Sequence, residues 1–417
     1  MAKISETISF DKAQKEYKGV RTFTVMLKPI GPLCNLNCTY CYYLEKKNLY
    51  PHTSNFKLGE GLLEEFTQKY IQEQNVDVIN FVWQGGEPSL LGIDYYKKAL
   101  AIQKKYAGNK QINNVFQTNG SLLDENWCKF FSDNNFLVGI SVDGPEKLHD
   151  YYRRTKQGYP TFHRIMKSVE LLHRYRVEFN TLSVVNNLTS EFPLEVYNFL
   201  KAIGSTYMQF IPIVERKSIM HEELQLVEQT YSKEAQLTSW SVNPLKFGKF
   251  LCSIFDEWVK KDVGRHYVQL FDVSLANWYG EPPGLCVFDK TCGMSTVMEH
   301  NGDLFSCDHF VYDKYRLGNI KNHSLVEMLH SKKQSYFSNY KFDSLPQYCR
   351  DCEVLFACHG ACPKHRFLNT PDGEPGLNYL CESYKMFFKH ISPAMEFMVN
   401  EIKNNRAPAN IMRDFKF

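Results

Sequence analysis

The sequence contains no run of 18 or more apolar residues, the length a membrane-spanning helix needs, so no transmembrane segment is expected. Its start, MAKISETISFDK, carries charges where a secretory signal would place an apolar stretch. Together these absences lead us to expect a soluble, cytoplasmic protein with no membrane partner. Charge of one sign is also scarce: 49 basic against 46 acidic side chains leave a net +3 and no basic stripe, a poor electrostatic footprint for nucleic acid. Solenoid repeats and low-complexity tracts are missing too. With 43% apolar and 23% charged residues the chain is not a disordered polymer, and at roughly 150 residues per domain its 417 residues allow two or three domains.

Cysteine, by contrast, is abundant. Of 13, three lie at Cys34, Cys38 and Cys41, eight lie between Cys286 and Cys381, and Cys128 and Cys252 stand alone as ordinary packing thiols. In a reducing compartment such clustering points to metal ligation or catalysis rather than to disulfides. A four-iron cluster normally takes four thiolates, so eight cysteines fill two clusters, and three leave one iron of a third open. An open metal position is where a substrate or cosubstrate can coordinate. Taken alone, Cys349-x-x-Cys352 with Cys358 and Cys362 could equally be a tetrahedral zinc site. CNLNCTYC resists that reading, because it has no fourth ligand nearby.

Between residues 20 and 214, short apolar runs alternate with helical periods. The runs are 22–27, 78–83, 113–118, 136–142, 179–185 and 207–213, each rich in β-branched or aromatic residues, as in parallel strands buried on both faces. Amphipathic helices lie between them, for example through Phe162, Ile165, Met166, Val169 and Leu172. Six β–α units with right-handed crossovers predict an α/β fold, a curved, incomplete (β/α)6 barrel. Polar motifs follow the first four strands: the Cys34 triplet, Gln84-Gly85-Gly86-Glu87-Pro88, Gln117-Thr118-Asn119-Gly120 and Ser141-Val142-Asp143-Gly144-Pro145. Strand ends of this kind are where α/β barrels bind ligands.

Residues 215–243 read as polar and irregular. Asn243 and Pro244 then read as the N-cap and first position of a helix whose stripe, Phe247 to Trp258, needs a partner domain to cover it. A β-hairpin turning at Asn301-Gly302 is expected over 295–307, with Cys307 ending its second strand. The stretch from Cys349 to Cys381 is loop-rich, so its fold should depend on the metals it binds. A last amphipathic helix carries Tyr384, Phe387, Phe388 and Ile391. The expected domains are a partial barrel over 1–240, a bridging helix and strand segment over 241–284, and a metal-binding C-terminal domain over 285–417.

CNLNCTYC resembles the C-x-x-x-C-x-aromatic-C pattern of radical S-adenosylmethionine (SAM) enzymes, and WQGGEP resembles their Gly-Gly-Glu-Pro strand end. The cysteine spacing from Cys286 to Cys381 looks like the SPASM domain, a module carrying two auxiliary four-iron clusters. With ISVDGPEKLHDYYRR, MQFIPIVE and an Asp directly after Cys307, the whole is similar to anaerobic sulfatase-maturating enzymes from about residue 20 to 400. The resemblance implies three [4Fe-4S] clusters with SAM as cosubstrate, and makes zinc improbable. It implies Cys34, Cys38 and Cys41 on the SAM-binding cluster, and Tyr40, Gly85, Gly86, Glu87, Ser141, Arg153 and Val214 as SAM contacts. It further implies Cys286, Cys292, Cys307 and Cys362 on the first auxiliary cluster and Cys349, Cys352, Cys358 and Cys381 on the second.

The implied reaction starts with a 5′-deoxyadenosyl radical taking a hydrogen from Cβ of a Cys or Ser in an unfolded sulfatase carrying a Cys/Ser-x-Pro-x-Arg motif. Asp308 would be the general base, the second electron would leave through the auxiliary clusters, and the product would be Cα-formylglycine. An electron donor such as flavodoxin or ferredoxin would be a partner, and nucleic acid would not. His149 and His309 flank the expected site. A maturase forming a thioether or other crosslink in a ribosomal peptide is the alternative within the same class. It would be expected to need a small peptide-recognition domain or a partner, and no extra domain is seen before Thr22. A non-catalytic three-cluster electron carrier would leave the motifs around the open triplet without purpose.

Overall fold

The computed structural model describes residues 22–220, 225–293 and 295–415. Six parallel strands form as expected: β1 (Thr24–Lys28), β2 (Val78–Trp83), β3 (Gln111–Thr118), β4 (Leu137–Ser141), β5 (Phe179–Val185) and β6 (Tyr207–Pro212). Helices such as Glu60–Gln72, Ile93–Tyr106 and Phe162–Arg174 cross between them. Val25, Leu27, Phe81, Trp83, Phe116, Val138 and Ile140 are buried from the strands, and Phe66, Tyr96 and Ile165 meet them from the helices. Only a face that hides its apolar residues against such helices is stable for a parallel sheet.

The sheet does not stop at six strands. Between β6 and the distal hairpin lie β7 (Arg216–Ser218) and β8 (Ala235–Leu237), a small separate antiparallel pair in the stretch read as irregular. Their three-residue strands are too short to carry a period, which is why the sequence did not signal them. Beyond them β9 (Tyr267–Val268) adds parallel to β6. At the other edge β10 (Ser295–Glu299) pairs parallel with β1, in the register Lys28 to Glu299, and β11 (Asp303–Phe305) and β12 (Arg316–Asn319) follow antiparallel. A single ten-stranded sheet results, running across the boundary expected at residue 285. Held on both sides, β1 offers no free edge at the point where the cysteine loop leaves it.

The hairpin turns at Asn301-Gly302, where Gly302 has φ +90° and the Asn301 side chain accepts the Asp303 amide at 3.1 Å. Its second strand ends at Phe305, so Cys307 does not close the strand but opens the short turn Asp308–Phe310. Helix Pro244–Lys261 begins where expected: the Asn243 side chain accepts the Lys246 amide at 3.2 Å, and proline occupies its first position. Its apolar stripe is covered by helix Cys381–Lys403, whose Tyr384, Phe387, Phe388 and Ile391 are buried. The two helices approach so closely at Gly248 that a Cβ there would lie 2.9 Å from Met386 Sδ and 3.1 Å from Ser383 Cα. Among the described residues no helix is long and apolar enough to cross a membrane.

Candidate active site

The Cys34, Cys38 and Cys41 loop leaves the end of β1 and is backed by the turn after β2. Gly86 and Glu87 donate their amides to Gly31 and Leu33 carbonyls at 2.8 Å each. A Cβ on Gly86 would sit 2.0 Å from the Leu33 carbonyl oxygen, so only glycine lets the two segments touch. Gly85 takes φ +135° beside it. Glu87 is wholly buried and its carboxylate is already engaged, accepting from Ser89 N at 3.0 Å, Ser89 Oγ at 2.5 Å, Thr118 Oγ1 at 2.8 Å and Asn119 N at 2.7 Å. Glu87 therefore braces the ends of β2 and β3. Asn119 in turn donates to Cys34 Sγ at 3.6 Å.

Across the loop, Tyr40 packs edge-on against Tyr152 at 5.8 Å and donates its hydroxyl to Asp143. Arg153 binds the same carboxylate through Nε at 3.0 Å and Nη2 at 3.1 Å, and its guanidinium lies 5.5 Å from the Tyr40 ring centre. Asp143 was not among the expected site residues, although it is the Asp of the Ser-x-Asp-Gly-Pro segment. Ser141 closes β4, where its hydroxyl accepts from Gln117 at 3.4 Å, and Val214 is buried just past β6. Two buried donors near this group of strand ends have no protein partner, Trp240 Nε1 and Asn186 Nδ2. Trp240 packs with Tyr40, Tyr152 and Ile213 beside Cys38. An adenine and a ribose offer acceptors of the kind these orphaned donors lack, so the residues present fit SAM.

Asp308 lies on the far side of the triplet. Lys28, at the end of β1 and 3% exposed, forms an ion pair with it at 2.6 Å, and Tyr42, next to Cys41, donates to it at 2.6 Å. Lys28 also reaches Gln84 Oε1 at 3.1 Å and lies 4.4 Å from the Tyr43 ring centre. Burial pushes the Asp308 carboxyl up, but the charges of Lys28 and His309 and the bonds from Lys28 and Tyr42 outweigh it and hold the group at about 2. It stands as a permanent carboxylate between the open triplet and Cys307. Lys28 and Tyr42 had no signal in the sequence, since each is one more Lys or Tyr until the fold brings Asp308 to it.

The two flanking histidines differ. His149 is structural: Nδ1 accepts from the Asp143 amide at 3.3 Å and Nε2 faces Thr161 Oγ1 at 3.2 Å. His309 stands at the site, 3.7 Å from Cys362 Sγ and edge-on to Tyr42 at 5.7 Å.

The eight distal thiols fall into two groups. Cys362 is the strongest thiol neighbour of Cys286, Cys292 and Cys307. Cys358 instead faces Cys381, Cys349 and Cys352. Burial pushes Cys292 and Cys358 up to about 12, and Cys38 likewise, so none of these would be a thiolate without a metal. Yet backbone amides two residues on are aimed at the sulfurs of Cys34, Cys41, Cys307, Cys358 and Cys362, the environment of an anionic sulfur. Among the described residues no three His, Cys, Asp or Glu side chains converge on one point as ligands of a single ion do. Cys358 and Cys362 also part company, unlike the ligands of one zinc. Two groups of four thiols match the four thiolates that each four-iron cluster takes.

Comparison with known proteins agrees with this arrangement. Residues 29–200 match the radical SAM superfamily and residues 290–353 an iron-sulfur cluster-binding domain, SPASM. The chain is 50% identical to the serine-type anaerobic sulfatase-maturating enzyme of Bacteroides thetaiotaomicron, over 94% of this chain and 95% of that one. It is 32% identical to the cysteine-type enzyme of Clostridium perfringens, over 91% and 99%. The solved structure of native anSMEcpe with bound AdoMet superposes with a TM-score of 0.80 at 32% identity, over 91% of this chain and 100% of that one. The same protein with AdoMet and the Cp18Cys peptide gives 0.79 at 33% identity, over 91% and 99%.

Proposed function

Because this chain belongs to the anaerobic sulfatase-maturating enzymes, we propose that it oxidises a residue of an unfolded sulfatase to Cα-formylglycine, and that this residue is serine. The serine preference is supported by the 50% identity with the serine-type enzyme against 32% with the cysteine-type one. The observation that carries the reading is the Tyr42–Asp308 hydrogen bond of 2.6 Å, which spans the gap between the open triplet and the first auxiliary site.

Bound at their sites, the clusters and SAM supply the 5′-deoxyadenosyl radical that takes a hydrogen atom from Cβ and the acceptor for the electron that leaves. The chain does the rest. Cys34, Cys38 and Cys41 would hold one cluster, Cys286, Cys292, Cys307 and Cys362 the second, and Cys349, Cys352, Cys358 and Cys381 the third. Gly85 and Gly86 would meet the methionine amino group of SAM with their backbone, and Glu87 fixes their turn. Arg153 would present Nη1 to the SAM carboxylate, since Nε and Nη2 are taken by Asp143. Tyr40 and Val214 would flank the adenine, and Ser141 would reach the ribose.

Asp308 accepts the proton of the serine hydroxyl. A carboxylate held at about 2 is a weak base toward an ordinary alcohol. It suffices here because a hydroxyl on a carbon that has lost a hydrogen atom is far more acidic. The balance is –CH2OH to –CHO, with one hydrogen atom to the adenosyl carbon, one proton to Asp308 and one electron to the acceptor. Lys28 and Tyr42 keep the carboxylate aimed, and burial of the site keeps water from the radical. The electron donor that starts each turnover is a low-potential carrier of the flavodoxin or ferredoxin kind, and the reaction takes place in the cytoplasm.

The test is a pair of short peptides, Ser-x-Pro-x-Arg and Cys-x-Pro-x-Arg, given to the anaerobic holoenzyme with SAM and reductant. Aldehyde formation with matching 5′-deoxyadenosine is expected, faster on the serine peptide. Deoxyadenosine without either aldehyde would move the assignment to another peptide modification.

A further inference from the structure

Two cations of the C-terminal region are buried where the sequence gives no hint of it, Lys341 at 0% and Arg366 at 3% exposure. Neither meets a carboxylate: every hydrogen bond they make ends on a neutral oxygen. Lys341 Nζ donates to the carbonyls of Cys286, Val287 (2.9 Å) and Asp289. Three acceptors on one nitrogen use all three hydrogens of an ammonium, so the group is bound in its charged form. Arg366 donates to the carbonyls of Gly360 (2.9 Å), His359 (2.8 Å), Ala361 (3.3 Å) and Lys341, and weakly to Ser344 Oγ (3.4 Å).

The segment Arg366 grips is unusual. His359, Gly360 and Ala361 all have left-handed backbones, with φ of +45°, +69° and +50°, in the three residues that separate Cys358 from Cys362. Non-glycine residues rarely hold such angles unless the surroundings impose them. This turn carries one ligand of each auxiliary group at its two ends, and Arg366 faces both: its thiol neighbours are Cys349 and Cys358 on one side and Cys362 and Cys292 on the other. Lys341 faces Cys292, Cys362 and Cys286.

The contrast with the N-terminal triplet is direct. There Arg153 is paired with Asp143 and Lys28 with Asp308. Lys364, the other cation near Cys362, is paired with Glu215. Lys341 and Arg366 alone among these keep their charge unpaired, and between them they face five of the eight thiols. An unpaired buried cation is costly unless an anion that is not a side-chain carboxylate neutralises it. A four-iron core with four thiolates is such an anion, and more so when reduced.

On the reading that these eight thiols bind two clusters, we propose that Lys341 and Arg366 are the fixed counter-charges of the auxiliary clusters, raising their reduction potentials so that they take up the electron released by the substrate. A fixed positive charge in a medium of low dielectric favours whichever redox state is more negative. Lys341 acts on the first auxiliary cluster and Arg366 on both.

Redox titration of the anaerobic holoenzyme followed by electron paramagnetic resonance reads each auxiliary midpoint, and iron analysis reads occupancy. In Lys341→Gln the first auxiliary cluster is expected to hold its reduced state tenfold less well, a fall of about 59 mV for one electron. Arg366→Gln is expected to lower both auxiliary midpoints, and Lys341→Arg and Arg366→Lys to restore them. Neutral variants that are fully loaded yet keep wild-type midpoints would overturn the inference. Should the neutral variants lose iron, the charge-keeping pair decides. Iron retained there supports the counter-charge role, and iron lost in both kinds shows that shape alone matters and overturns it. Wild-type enzyme holding the iron of a single cluster would instead overturn the two-cluster reading beneath it.

Discussion

At the scale of single residues, the site turns on Asp308 and what holds it. Asp308→Asn keeps the shape but cannot take a proton from the substrate, so formylglycine formation should fall about 10²- to 10⁴-fold. Peptide mass spectrometry against time measures it, and an unchanged rate would remove Asp308 from the reaction. Lys28→Met leaves a buried carboxylate without its cation. A stability loss of about 3 kcal/mol in urea unfolding is expected, with partial recovery in Lys28→Arg. His149 makes a different prediction. Burial lowers its pKa to about 4 from the ordinary 6.5, so the unfolded chain binds a proton there that the folded chain refuses. Stability should therefore drop as pH falls below about 6.5, by about 2 kcal/mol from this residue between pH 7 and 5, and His149→Asn should flatten that slope. Asp308 was legible beforehand, through its place after Cys307, and His149 was read as flanking the site, though not as the structural residue it is. Lys28 and Tyr42 were not, because the Tyr42–Asp308 bond joins residues 266 positions apart.

At the scale of elements, the cysteine loop is shaped by the turn behind it. Gly86→Ala would drive a methyl group to 2.0 Å from the Leu33 carbonyl, one residue before Cys34. We expect this variant to fold, since the clash is local, but to lose about a third of its iron while the auxiliary clusters stay loaded. Equal loss from all three sites would place the constraint elsewhere. The six strands, the Asn243 cap and the Asn301-Gly302 turn were readable in the sequence, because apolar runs, caps and tight turns are local signals. Two features were not. The β1–β10 pairing joins segments far apart in the chain, and no period within either strand announces a partner. Likewise Lys341 and Arg366 look like any surface cations until the fold encloses them.

For the whole molecule, the same ten-stranded sheet carries the triplet at the end of β1 and, through β10 and β11, Cys307 and Asp308. That continuity fixes Asp308 relative to the Cys34, Cys38 and Cys41 loop through a shared sheet. The loop-rich segment from Cys349 to Cys381 has little regular structure of its own, and Cys349, Cys352, Cys358 and Cys381 are neighbours within it. Removing iron with a chelator under reducing conditions should thus expose this segment to proteolysis well before the sheet, whose core is apolar and closed. Fragments mapped by mass spectrometry would test it, and first cuts inside 111–212 would contradict it. The most direct measurement of the central claim is the fate of one atom. Given a Ser-x-Pro-x-Arg peptide with both serine Cβ hydrogens replaced by deuterium, the enzyme should yield 5′-deoxyadenosine carrying one deuterium and an aldehyde retaining the other. Aldehyde formed alongside unlabelled deoxyadenosine would contradict abstraction from Cβ at this site.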